Sequence, residues 1–217
     1  MEQKIQAIGK LALVPVVQIE HSEDAINLGK ALLDGGLPCA EITFRTESAE
    51  EAIQSIAATL PEIILGAGTV LTTAQAQKAI GAGAQFVVSP GFNPKVVDWC
   101  LEREVPVIPG VATPTEIEMA MDKGLDIFKF FPAQAMGGIE MLKAIAGPYG
   151  GVKFIPTGGI NAQNLADYLK LPTVFACGGS WFVKASLISA GDFSEITRLT
   201  KEAVSIVHQC RDLRVKS

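Results

Sequence analysis

The chain has 217 residues, with 18 Lys and Arg against 23 Asp and Glu, and the resulting charge of −5 leaves no broad basic field for nucleic acid or an anionic lipid surface. Apolar residues make up 48% and charged residues 19%, and a chain of this size buries about 70% of its extended surface, which argues against disorder. No apolar run approaches the roughly 20 residues of a membrane helix.

The first apolar run, residues 11–17, follows Lys4 and Lys10 and faintly suggests a signal peptide. It is short, is interrupted by Pro15, leads into Gln18 and Glu20, and lacks a small-x-small cleavage site, so it reads as a buried strand. Further apolar runs begin near Cys39, Ile63, Gln85, Val105, Ile127, Lys153 and Val174, completing a set that starts near Ala12. Helical patterns fall between them at 22–34, 48–58, 72–81, 93–103, 113–123 and 161–169. Strand and helix in alternation predict an α/β protein with a parallel sheet, and eight units predict a single (β/α)8 TIM barrel forming one domain over 1–217. The rival, an open doubly wound sheet, would usually carry G-x-G-x-x-G after its first strand, and none is present. Ser22 ahead of Glu23 and Asp24, and Thr113-Pro114-Thr115-Glu116, predict capped helix starts.

Cys39, Cys100, Cys177 and Cys210 are widely spaced without a C-x-x-C, and neither His21 nor His208 stands near a ligand cluster. The pattern predicts small apolar fillers in a reducing cytoplasm, with no disulfide framework and no metal.

In a barrel of this kind the active site lies at the carboxyl ends of the strands. The polar residues expected there are Glu41, Thr43 and Arg45, then Thr69, Lys129, Thr157 and Ser180. Lys129 is the single charge in Ile127-Phe128-Lys129-Phe130-Phe131. Strand alternation sends Ile127, Lys129 and Phe131 one way and Phe128 and Phe130 the other, so an aromatic pair facing the helices leaves the lysine inside the barrel. Desolvation disfavours the ammonium form and yields an amine able to add to a carbonyl as a Schiff base. A buried ion pair with Glu41 is the plain alternative, although such pairs seldom stabilise better than apolar packing. Glu41 shares the parity of Arg45, and across the barrel it could move protons for Lys129. Arg45 offers a planar fork for a carboxylate, or a salt bridge to Glu47. Thr157-Gly158-Gly159 and Cys177-Gly178-Gly179-Ser180 follow the last two strands, where such barrels commonly hold phosphate; tight turning alone would also select glycine.

Lys129 stands in Lys129-Phe130-Phe131-Pro132-Ala133, and with it the chain resembles the 2-keto-3-deoxy-6-phosphogluconate aldolase family, whose members often also act on 4-hydroxy-2-oxoglutarate. The resemblance extends through Glu41-Ile42-Thr43-Phe44-Arg45-Thr46, Gly66-Ala67-Gly68-Thr69-Val70, Ser89-Pro90-Gly91, Pro156-Thr157-Gly158-Gly159 and Gly178-Gly179-Ser180-Trp181. It implies a class I aldolase of the Entner–Doudoroff pathway, a cytoplasmic homotrimer that takes a small keto acid or phosphorylated sugar acid and engages neither nucleic acid nor membrane. No cofactor is implied, since the imine serves as electron sink in place of a metal. By the same resemblance Lys129 forms the Schiff base and Glu41 is the general acid/base. Arg45 and Thr69 hold the pyruvate carboxylate, Pro90 and Phe131 line the pocket, and Thr157 lies near the reacting carbons. Gly158, Gly159, Gly179 and Ser180 take the phosphate. Gln134 and Met136 depart from the Glu and Asn usual in the family, which bears on substrate preference. The residues alone also admit a phosphosugar isomerase or epimerase in which Glu41 transfers the proton. They equally admit a non-catalytic phosphometabolite-binding barrel in which Lys129 and Glu41 are a structural pair.

Overall fold

The computed structural model describes residues 2–215, with side chains for residues 3–210. The elements run α1 (Glu2–Leu11), β1 (Leu13–Val17), a 3-10 turn (Ser22–Asp24) entering α2 (Ala25–Asp34), β2 (Cys39–Thr43), α3 (Ala49–Thr59), β3 (Ile64–Gly68) and α4 (Thr73–Gly81). They continue with β4 (Phe86–Val88), α5 (Pro94–Leu101), β5 (Val107–Ile108), β6 (Gly110–Val111), α6 (Pro114–Met121), β7 (Ile127–Phe130) and α7 (Gly138–Ala146). The last are β8 (Lys153–Pro156), α8 (Leu165–Leu169), β9 (Cys177–Gly179), α9 (Ala185–Ser189) and α10 (Phe193–Val215).

The strands form a curled parallel sheet of six in the order β5-β4-β3-β2-β1-β9 and a second sheet of three, β6-β7-β8. The α/β class and the parallel pairing match the expectation, but the sequence predicts one uninterrupted ring of eight. Two seams account for the difference. Pro109 has no N–H to give to a ladder, so the expected fifth strand is split into β5 and β6, although the Pro109 carbonyl still accepts from the Lys129 amide at 2.9 Å. At the other seam the run expected from Val174 spends the Val174 amide on Leu171 O at 3.0 Å, within a turn. Only isolated bridges, Phe154 to Val174 and Thr157 to Gly178, join β8 to the β9 segment.

Alternation along the strands sorts side chains into two layers. Val14, Cys39, Phe86, Val88, Ile108 and Ile155 pack on the inner face together with Ile8, which brings α1 against that layer. The other face meets the helices in a larger cluster containing Phe128, Phe130 and Phe154. Phe154 meets those two rings edge-on at 6.2 and 6.4 Å, contacts worth about 0.5–1.5 kcal/mol each beyond their burial. That aromatic wedge fixes the facing of β7, so Lys129 points inward as the alternation predicts.

Thr72, Asn93 and Thr113 each cap a helix through the side chain, and Glu116 completes a capping box behind Pro114. Ser22 is not a cap: it lies inside the 3-10 turn, and the flanking positions His21 and Asp24 make no side-chain cap bond. The helix predicted over 161–169 shortens to α8, because Asn161 and Asn164 bind each other's backbone and hold residues 161–164 as a turn. All four cysteines are buried, and none is in a disulfide. No described helix is long and apolar enough to cross a membrane.

Candidate active site

Lys129 Nζ donates to Glu41 Oε1 at 3.3 Å, across 88 residues of chain. The two residues are 5% and 3% exposed. Their meeting depends on missing side chains nearby. Glu41 is in register with Gly66 of β3, and a Cβ on Gly68 would overlap its carboxylate. Gly66 clears the ring of Phe86, and Gly178 clears the hydroxyl of Thr157. Glycines on the inner face therefore admit polar groups where a barrel interior ordinarily holds branched apolar ones. The free space around the pair is about 10 Å³, otherwise walled by Val14, Phe86, Val88, Ile108, Ile155 and Thr157. Phe131 presents its ring 5.3 Å from Lys129 Nζ, within cation–π range. Cys39 precedes Glu41 by two residues on the same face. Burial, and after it the Glu41 charge, push its thiol far above the ordinary range, so it is no nucleophile.

Above the pair, Arg45, Phe131, Thr157, Gly158, Gly159, Gly179 and Ser180 share one cavity of about 420 Å³. Thr157 lines both spaces and is the step between them. Thr69 and Pro90 lie outside this lining. They follow β3 and β4, which pair side by side, and the Pro90 carbonyl rests where a Cβ on Gly110 would be. Thr69 has φ 55°, in the left-handed region. The Thr43 hydroxyl donates to Val17 O at 2.7 Å, tying β2 to β1 in the wall of the mouth, which both residues line. Among the described residues Arg45 is in no ion pair, so the bridge to Glu47 does not form.

Gly158 and Gly159 have φ of 97° and 80°, which only glycine adopts readily. Their carbonyls accept from Gln134 N and Asn164 Nδ2, both at 3.0 Å. The turn's N–H groups are what remain for an anion in the cavity. Gln134 packs its side chain on Gly159, whereas Met136 is 37% exposed. Gln18 and Lys184, which no motif marks in the sequence, also line the mouth. For Gly66 and Gly68 the one signal in the sequence is their period-two spacing beside a charged strand. Among the described residues no carboxylate lines the mouth.

An enclosed amine in contact with a carboxylate, beneath an anion-ready mouth on a parallel α/β sheet, fits the class of enzymes that act through amine addition to a ketone. Comparison with known proteins agrees. The family model for KDPG and KHG aldolase matches residues 5–199. A 2-dehydro-3-deoxy-phosphogluconate aldolase of Treponema pallidum is 54% identical over 202 residues, covering 93% of this chain and 96% of the relative. A KHG/KDPG aldolase of Escherichia coli K12 is 48% identical over 192 residues, 88% and 90% of the two chains. The crystal structure of the KDPG aldolase of Legionella pneumophila, which holds pyruvate as a covalent carbinolamine captured at low pH, superposes with a TM-score of 0.89 at 42% identity, covering 93% of this chain and 98% of that one. The chain belongs to the KDPG and KHG aldolase family.

Proposed function

We propose that the chain is a Schiff-base aldolase that cleaves 2-keto-3-deoxy-6-phosphogluconate to pyruvate and glyceraldehyde 3-phosphate, and 4-hydroxy-2-oxoglutarate to pyruvate and glyoxylate. The observation that carries the reading is the Lys129–Glu41 contact at 3.3 Å, enclosed below a cavity of about 420 Å³. Glu41 takes the proton that frees the Lys129 amine, and Nζ adds to the C2 ketone to give a carbinolamine. Glu41 returns that proton to the departing hydroxyl, and loss of water leaves a protonated imine and the Glu41 carboxylate. Glu41 then takes the C4 hydroxyl proton as the C3–C4 bond breaks, and that electron pair enters the imine to form an enamine. The aldehyde leaves, C3 is protonated, and water releases pyruvate and restores the amine. Arg45 and Thr69 hold the carboxylate of the substrate. Pro90 and Phe131 flank the reacting carbons with Thr157, while Gly158, Gly159, Gly179 and Ser180 receive the phosphate.

The same reading takes the two sheets as one closed (β/α)8 ring, supported by the Pro109 junction and the Thr157–Gly178 bridge. It takes 1–217 as a single domain, of which residues 1, 216 and 217 lie outside the described ones. A cytoplasmic homotrimer completes it. Exposed Leu71, Met119, Met121 and Met136 offer apolar surface for subunit contacts, and native mass spectrometry should find three 22.9 kDa chains together.

Borohydride added with pyruvate should leave a reduced pyruvyl adduct on Lys129 alone, read by peptide mass spectrometry. Lys129→Met should lose both the adduct and essentially all cleavage. An adduct elsewhere, or turnover surviving in Lys129→Met, would refute the mechanism.

A further inference from the structure

The mouth of the site holds two cations, Arg45 and Lys184, in a protein whose overall charge is −5. Lys184 lies four residues beyond Ser180 in the loop after β9 and lines the same cavity as Gly159, Gly179 and Ser180. Its backbone is held in place: the Lys184 carbonyl accepts from the amides of Leu187 and Ile188 at 3.0 and 3.2 Å, which roots the residue at the start of α9. Glu195, an acid that feels the Lys184 charge weakly, is gripped instead by Arg198 through two bonds of 2.7 Å. Among the described residues Lys184 itself is in no ion pair.

We propose that Lys184 is a specificity-determining cation at the phosphate end of the pocket, biasing this chain toward phosphorylated keto acids over unphosphorylated ones. The inference rests on the aldolase reading of the same site and adds a residue to it. Backbone N–H groups and one hydroxyl bind an anion by short-range geometry and distinguish poorly between one negative charge and two. A mobile ammonium adds a Coulomb term that grows with ligand charge and reaches through solvent at the rim. Because Lys184 is exposed, the term is moderate and screened by salt.

The test compares wild type, Lys184→Gln and Lys184→Arg in two measurements. In the first, the ratio of kcat/KM for 2-keto-3-deoxy-6-phosphogluconate to that for 4-hydroxy-2-oxoglutarate should fall about three- to tenfold in Lys184→Gln, through KM, and recover in Lys184→Arg. The second is binding of 6-phosphogluconate, which has no ketone to trap, followed by calorimetry. Its affinity should fall by a similar factor in Lys184→Gln, and the difference from wild type should shrink as NaCl is raised. An unchanged ratio, equal losses on both substrates, or 6-phosphogluconate affinity indifferent to Lys184 would overturn the proposal. Failure of wild type to cleave either keto acid would instead overturn the aldolase reading, while the binding comparison would still decide the role of Lys184.

Discussion

Thr69 holds φ 55° at the carboxyl end of β3, a conformation that costs a β-branched residue about 1–3 kcal/mol and that glycine adopts freely. Thr69→Gly should therefore be more stable, by about 1 kcal/mol after the extra chain entropy of glycine is subtracted, while raising KM for the keto acid if Thr69 holds the carboxylate as proposed. Lower stability in a thermal melt would show that the backbone is not strained. The sequence marks Thr69 as a polar residue after β3 but nothing in it announces this conformation, since threonine is a rare occupant of left-handed positions. Lys129 is the opposite case. One charge in an apolar run, flanked by aromatics of the other parity, is directed away from the helix layer, and parity allows a meeting with Glu41 that only the structure shows, at 3.3 Å. Arg45 was legible as a residue type, and the structure settles only that Glu47 does not claim it.

At the scale of strands, the site is made by subtraction. Gly68 supplies the volume that Glu41 occupies, so Gly68→Ala should displace the carboxylate and lower kcat by about a hundredfold, the usual effect of misplacing a catalytic group by an ångström. Gly81, at the end of α4, has open space around it, and Gly81→Ala should leave kcat unchanged in the same assay. Equal kcat in the two variants would mean that Glu41 adapts without loss. Most strand starts are readable from apolar runs, and of the two helix caps read from the sequence Thr113 forms while Ser22 does not. Side-chain competition for backbone hydrogen bonds is not readable: Asn161 and Asn164 shorten α8, and Ser22 lies within a 3-10 turn. Pro109 could have been read as a strand breaker, because a residue without an N–H cannot serve a central ladder.

Across the whole molecule, the cysteines sample both layers: Cys39 lies on the inner face, and Cys100 lies in the helix-facing core. Burial raises the Cys100 thiol to about 11 against a smaller opposing pull from Arg103, and raises Cys39 further. Both should therefore resist iodoacetamide at pH 8 in native protein and react once denaturant unfolds it, with alkylation tracking the loss of circular dichroism. Labelling of either in the native state would show that its layer opens locally. The inner layer has another consequence. Ile8 and its neighbours pack against the floor beneath Lys129, and the hollow beside the amine is about the volume of one solvent molecule. Among the described residues the hollow and the larger cavity above it share Thr157, so on the proposed aldolase reading keto acid, aldehyde and water all reach the amine past that one side chain.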